Sequence, residues 1–278
     1  MKSLGRLDQK KKKGSRLPSI PLSSLAQSAV RASHAAGRVL MKYYQAPLKV
    51  AEKKGAGLVT QADFEAQAQA VQVLKKAFPQ FGFLTEEAPE QLGQSPGRWI
   101  IDPLDGTTNF VHGFPMFCVS IAAEWEGVLV AGVIYHPIFK HTYVATLGGG
   151  AFLNGKPIHV SRTRKLSQAL LTTGFTYRKD QYLKAEMKAF EYLSSQSRAV
   201  RRPGSAALDL AYTAQGVFDG FWESGLSPWD IAAGVLLVRE AGGKVTGFSG
   251  QQLELHSGEL MASNSNLHPK LISVMSRF

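Results

Sequence analysis

The chain has 278 residues, 44% of them apolar and 19% charged, with a net charge of +11, one cysteine and no apolar run approaching the length of a membrane span. That length buries a substantial core, as one large domain or two tightly joined halves, and a membrane partner is not expected. One cysteine excludes an internal disulfide and a multi-cysteine zinc site; Cys118, in Met116-Phe117-Cys118-Val119, reads as a buried inert thiol, a usage that fits a reducing cytoplasm.

Residues 1–16 hold seven basic residues against the single Asp8, so more than half of the charge excess lies at this end. Residues 1–17 therefore read as a disordered basic tail, and no apolar segment follows the lysines as a signal peptide would require. A solvated extension or an upstream start codon is favoured over contact with nucleic acid or an anionic surface, which the lysine run leaves open. The folded body is expected over residues 18–278. From Leu22 to about Tyr44 apolar and small residues recur at helical spacing. Lys53-Lys54-Gly55-Ala56-Gly57 reads as a flexible turn. Thr60-Gln61-Ala62-Asp63 then matches a capping box with Asp in place of Glu, opening a helix through Ala77 that Pro79 ends. Phe81 to Leu84 is a short strand leading into Thr85-Glu86-Glu87.

Trp99, Ile100 and Ile101 make a buried strand that stops at Asp102-Pro103, and Asp105-Gly106-Thr107-Thr108 follows. Proline fixes its own φ and drives Asp102 towards extended geometry, so both aspartates project from a stiff strand end. The N–H groups and hydroxyls beyond them suit a phosphate at a helix start. Apolar segments at Phe117–Glu124, Val128–Tyr135 and Thr142–Leu147 read as antiparallel strands, and residues 148–155 as a hairpin with an Asn-Gly turn. Near residue 165 the pattern restarts: a strand at Leu170–Thr173, a helix over Asp180–Ser194, a loop over Arg201–Ser205, a helix over Ala206–Gln215 and a strand at Gly220–Glu223. Pro228-Trp229-Asp230 then precedes a helix over Ile231–Ala241 closed by Gly242-Gly243. The halves are both α+β, with no low-complexity linker between them.

Glu86 with Glu87, Asp102 with Asp105, and Asp230 stand apart from surface charge, because each follows a strand-like run or opens an apolar helix. Gathering buried carboxylates is prohibitive without a cation. Mg²⁺, which takes oxygen ligands in octahedral geometry and keeps waters, reverses that cost. Asp230 also has a plain capping explanation, and a ligand that doubles as a cap accommodates both.

Asp102-Pro-Leu-Asp-Gly-Thr-Thr-Asn-Phe110 resembles the first signature of the inositol monophosphatase family of lithium-sensitive, magnesium-dependent phosphatases. Trp229-Asp230-Ile-Ala-Ala-Gly, running on to Glu240-Ala-Gly-Gly243, resembles its second. Thr85-Glu86-Glu87, Leu58-Val59-Thr60-Gln-Ala-Asp63, Gly204-Ser-Ala-Ala-Leu-Asp-Leu210 and Phe221-Trp-Glu223 match in order and spacing, so the resemblance covers roughly residues 22–278. It implies an α+β fold of the layered αβαβα sandwich type, a homodimer, and hydrolysis of a small polyol phosphate, most simply inositol 1-phosphate.

Carried over residue by residue, the resemblance assigns one Mg²⁺ to Glu86, Asp102 and the Leu104 carbonyl. It assigns a second to Asp102, Asp105 and Asp230, and a third, weaker ion near Glu86. Gly106 and Thr107 would hold the phosphate, a metal-activated water would attack phosphorus, and Glu223, Asp230 and the Gly204-Ser205-Ala206 turn would face substrate. Relatives on this plan hydrolyse fructose 1,6-bisphosphate, histidinol phosphate or adenosine 3′,5′-bisphosphate, and the shared metal motifs do not choose between them. A regulatory or RNA-associated protein with weak activity is the alternative of another class. Two departures stand out. The resemblance places the acidic partner of Thr107 immediately before Leu58, where this chain has Gly57, so reduced turnover is expected. Glu52 and Asp63 are the nearby acids that could stand in, and a water filling the gap at little cost is the alternative. Thr85 replaces a family glycine, which strains the backbone if that position needs positive φ.

Overall fold

The computed structural model describes residues 20–53, 57–175 and 181–277. The expected basic tail, the Lys54–Ala56 part of the expected turn and Asp180 lie outside them. Helix α1 (Leu22–Tyr43) leads into a hairpin of β1 (Val50–Lys53) and β2 (Gly57–Thr60), then α2 (Gln61–Ala77). Next come β3 (Gly82–Thr85), β4 (Ala88–Gln91), β5 (Gly97–Asp105), the short helix α3 (Thr107–Val111), β6 (Cys118–Trp125), β7 (Val128–His136), β8 (His141–Thr146), β9 (Gly150–Leu153) and β10 (Lys156–Pro157). The second half holds β11 (Leu170–Thr173), α4 (Gln181–Gln196), β12 (Ala199–Arg201), α5 (Ala206–Ala214), β13 (Gly220–Ser224), α6 (Pro228–Glu240), β14 (Lys244–Thr246), β15 (Glu259–Ser263) and α7 (His268–Met275).

The strands form an eight-stranded sheet ordered β10-β9-β8-β7-β6-β5-β3-β4 and a five-stranded sheet ordered β12-β11-β13-β15-β14. Three apolar clusters set the layering. Leu25, Leu40 and Leu74 of α1 and α2 pack with Trp99, Ile101 and Ile121 on one face of the large sheet. Ile100, Ala122 and Ile134 on its other face meet Leu208 of α5 and Leu236 of α6, which also bury Phe221 and Leu260 of the second sheet. The far face of that sheet buries Trp222 and Met261 against Leu193 of α4 and Leu271 of α7. The result is the expected αβαβα sandwich. Alternation explains it: Ile100 and Ile101 are neighbours in β5 and point to opposite faces, each into its own core.

The α2 capping box is present, since Thr60 N donates to Asp63 Oδ2 at 2.8 Å and Ala62 N donates to Thr60 Oγ1 at 3.1 Å. Helix α6 begins three residues earlier than the apolar periodicity indicated, with Pro228 in its first turn, where a missing N–H costs nothing. Thr85 lies in β3 and is not among the residues with positive φ, so the substitution for glycine carries no strain.

Candidate active site

Register brings the acids together. β3 runs parallel to β5 with Thr85 opposite Ile101, so Glu86, the residue just past the end of β3, comes alongside Asp102, and Glu86 N donates to Ile101 O at 3.2 Å. On the other side β5 pairs with β6, Asp102 opposite Ser120 and Asp105 opposite Cys118, so three steps on β5 match two on β6. This bulge at Pro103-Leu104 sets the geometry of the acidic cluster. In a regular strand residues three apart face opposite sides; the extra residue turns Asp102 and Asp105 to the same one. Asp102 Oδ1 accepts from Leu104 N at 2.9 Å, which fixes the turn. Asp230 enters from the first turn of α6, where its Oδ2 accepts from Ser227 N at 2.7 Å, and Ser120 Oγ donates to Trp229 O at 3.3 Å, tying that turn to β6.

Their electrostatics record the crowding. Burial first, then Glu86, Asp105 and Asp230, push Asp102 well above the usual carboxylate range. Asp230 is pushed up by burial and then by Asp105. Asp105 rises to about 6 by burial, against hydrogen bonds from Ser205 Oγ (2.5 Å) and Ala207 N (2.8 Å) to its Oδ2. Burial also raises Glu86, while Lys53 opposes it. Lys53 Nζ stands 2.8 Å from Glu86 Oε1 and 2.5 Å from Glu87 Oε1, a cation the sequence reading had left in a flexible turn. Among the described residues no three acidic, histidine or cysteine side chains already stand at ligand spacing. The donor set is nevertheless all oxygen and shares too little positive charge. It suits a hard divalent cation and no soft one.

Gly106 adopts φ +90°, and a Cβ there would come within 2.7 Å of Met116 O, so only glycine lets the chain turn from β5 into α3. Asn109 Nδ2 donates to Met116 O (2.6 Å) and Pro203 O (2.9 Å), which draws the Gly204-Ser205-Ala206 turn onto the start of α3. Glu223, at the end of β13, is pushed well up by burial and then by Asp209 and Asp230, with Arg202 opposing, so it shares the field of the same acids. Its carboxylate lies against Gly174, where a Cβ would fall 2.1 Å from it.

The expected missing partner of Thr107 is present. Thr107 Oγ1 lies 3.3 Å from Asp63 Oδ1 and 3.0 Å from Leu104 O. Asp63 is fully buried at the start of α2, and burial raises its carboxyl against the Thr60 hydrogen bonds. Gly57 instead occupies the hairpin end with φ +88°, paired with Lys53. Glu52 is exposed on β1. Of the two acids near in sequence, Glu52 and Asp63, the fold thus brings Asp63 to Thr107. Cys118 is buried as expected, its thiol pushed well up, and sits 3.8 Å from both Asp105 Oδ2 and Ser205 Oγ. Among the described residues no helix is long and apolar enough to cross a membrane.

Comparison with known proteins bears on this arrangement. Residues 22–277 match the model of the inositol monophosphatase family. An inositol-1-monophosphatase of Synechocystis sp. is 41% identical over 258 residues, 92% of this chain and 90% of that protein. The Nus factor SuhB of Salmonella typhimurium is 43% identical over 250 residues, 89% of this chain and 92% of its own length. Among solved structures, the extragenic suppressor protein suhB of Bartonella henselae superposes with a TM-score of 0.88 at 41% identity, covering 91% of this chain and 99% of that one.

Proposed function

The chain belongs to the inositol monophosphatase family, and from that premise we propose that it is a Mg²⁺-dependent phosphatase of small polyol phosphate monoesters, most simply inositol 1-phosphate. The observation that carries this reading is the bulge that turns Asp102 and Asp105 to one side, where Glu86 and Asp230 meet them. Glu86, Asp102, the Leu104 carbonyl, Asp105 and Asp230 would hold two Mg²⁺ ions, with a third near Glu86. Bound there, Mg²⁺ would lower the pKa of water and stabilise the charge developing on the leaving oxygen.

The chain's own residues supply the rest. Gly106 and Thr107 present first-turn N–H groups, which have no intrahelical acceptor, to the phosphate oxygens. Asp63 accepts the Thr107 proton, which leaves a Thr107 lone pair free to accept from and orient the attacking water. Engaging the Leu104 carbonyl elsewhere removes the competing acceptor of that proton. Glu223, Ser205 and Ala206 face the polyol, and Glu223 accepts from its hydroxyls. A homodimer is expected from the family resemblance and is tested by light scattering.

The test is a Mg²⁺-dependent phosphate-release panel over inositol 1-phosphate, fructose 1,6-bisphosphate, histidinol phosphate and adenosine 3′,5′-bisphosphate, with Asp102→Asn as control. Release of phosphate from inositol 1-phosphate that Asp102→Asn abolishes is expected; activity surviving that substitution overturns the site. A second reading draws on the relatives named Nus factor SuhB and on the net charge of +11. In it the basic residues bind RNA besides, or instead of, catalysis. RNA binding that disappears on removal of residues 1–17, with turnover intact, makes that contact peripheral.

A further inference from the structure

Asp209 is buried in α5, outside every role assigned above. Its Oδ1 lies 2.9 Å from Thr172 Oγ1 of β11, which in turn lies 3.3 Å from the carbonyl of Arg201 on β12. Its Oδ2 is buried with no hydrogen-bond partner among the described residues. A threonine hydroxyl carries one proton. If Asp209 were ionised, that proton would face two acceptors and serve one, while a bare anionic oxygen sat buried beside it, an arrangement that burial strongly disfavours. If Asp209 is protonated, its O–H donates to Thr172, Thr172 donates to Arg201 O, and only a neutral carbonyl oxygen is left without a partner.

We propose that Asp209 is a neutral carboxylic acid and a positioning residue for substrate, holding the 201–205 turn through Thr172. That turn is the one Asn109 grips at Pro203 O and from which Ser205 Oγ reaches Asp105. The charged and titratable groups facing Asp209 are Asp105 from β5, Arg202 from the turn itself, Glu223 from β13 and Tyr212 on its own helix. Burial and then Asp105 push its carboxyl well above the usual range, opposed by the Thr172 hydrogen bond and by Arg202. Neutrality at Asp209 has a consequence one strand away. It removes the foremost like charge facing Glu223, which favours ionisation of that carboxyl against its burial and against Asp230.

The kinetic part of this proposal rests on the phosphatase reading; the protonation state does not. Asparagine is the neutral isostere, because its amide can donate to Thr172 where the acid O–H did. In the Mg²⁺-loaded protein, Asp209→Asn is expected to keep KM for inositol 1-phosphate within about threefold at pH 7. Asp209→Ala and Thr172→Val should each raise KM about tenfold with little change in kcat. At alkaline pH the wild-type KM should climb as Asp209 ionises, and that of Asp209→Asn should not. The infrared difference between wild type and Asp209→Asn at pH 7 should show loss of a protonated-carboxyl band. Loss of a carboxylate band instead, or an Asp209→Asn enzyme as impaired as Asp209→Ala, overturns the proposal. Should no phosphate ester be hydrolysed, the phosphatase reading fails while the infrared band still decides Asp209. If Asp209→Ala does not fold, Thr172→Val carries the kinetic comparison.

Discussion

Thr107 Oγ1 lies 3.3 Å from Asp63 Oδ1, and the other oxygen of that carboxyl closes the capping box of α2 on Thr60. One buried acid thus holds a helix start and Thr107, the residue proposed to orient the attacking water, each through a different oxygen. Asp63→Asn keeps an oxygen for the cap but loses a proton acceptor, so kcat should drop by about 10²–10³ with a small change in KM and in melting temperature. A variant retaining more than a tenth of wild-type kcat would remove Asp63 from the chemistry. Gly57→Asp, in contrast, should gain nothing. It puts a side chain at φ +88° on the hairpin, where Thr107 already has Asp63 as a partner, and should only lower stability by about 1–2 kcal/mol.

Removal of the metal should expose the repulsion among the acids, with a definite sign. Asp105 sits at about 6 in the folded protein, above its ordinary 3.8, and Asp102 and Asp230 are also pushed up. Groups raised by folding stabilise at low pH, and that stability is lost as pH rises through their folded values. In chelator, these carboxylates should therefore take stability away as pH rises from about 4 through 6 and above, a loss read as the difference in melting temperature between the metal-free and Mg²⁺-loaded protein. Mg²⁺ should restore more of it at pH 7.5 than at pH 5, because only ionised carboxylates bind it. Thermal melts in EDTA and in Mg²⁺ across this range check the claim; a Mg²⁺ gain independent of pH contradicts it. Asp102→Asn should flatten the metal-free slope.

Much of this was legible before any coordinates. The long periodic helices and the Asp102–Asn109 string were read correctly because local chemistry dictates them: Pro103 and Gly106 admit few backbones. Roles needing two distant segments were not legible. Lys53 was read as part of a turn, and only pairing of β1 with β2 stands it over Glu86 and Glu87. Sequence neighbours of Asp63 account for one of its oxygens as a cap, but only the fold decides between Asp63 and Glu52 for Thr107, because that contact spans 44 residues. Strands β1, β2, β4 and β12 are three or four residues long with partly exposed, mixed side chains, so alternation carries little signal there.

Gly106 tests the phosphate end of the site. Alanine would bring a Cβ to 2.7 Å from Met116 O at φ +90°, so the turn from β5 into α3 must shift. Gly106→Ala should cost about 2 kcal/mol or more in urea unfolding, since a left-handed residue alone costs about 1–2. Its main kinetic effect should be weaker binding of inorganic phosphate as a product inhibitor, because the first-turn N–H groups move. Unchanged phosphate inhibition would place the anion elsewhere.

His136 sets an acid limit that is independent of the metal site. Its ring is buried beside Phe117 and Phe139, with centroids 6.3 and 4.6 Å away, and burial, with His141 adding to it, pushes it down to about 4. His268, held between Ser263 Oγ (2.8 Å) and Thr246 Oγ1 (3.0 Å), is also lowered to about 4 by burial. The unfolded chain takes up these protons near 6.5 and the folded one does not. The stability each contributes is therefore complete above 6.5 and is lost as pH falls towards 4. In Mg²⁺, wild-type stability should decline over that window. His136→Phe, which fits an aromatic pocket without a proton to gain, should reduce the decline while leaving turnover at pH 7.5 unchanged. Urea midpoints at pH 7.5, 5.5 and 4.5 for both proteins measure it. Equal losses in the two would assign the acid limit to His268 and the carboxylates instead.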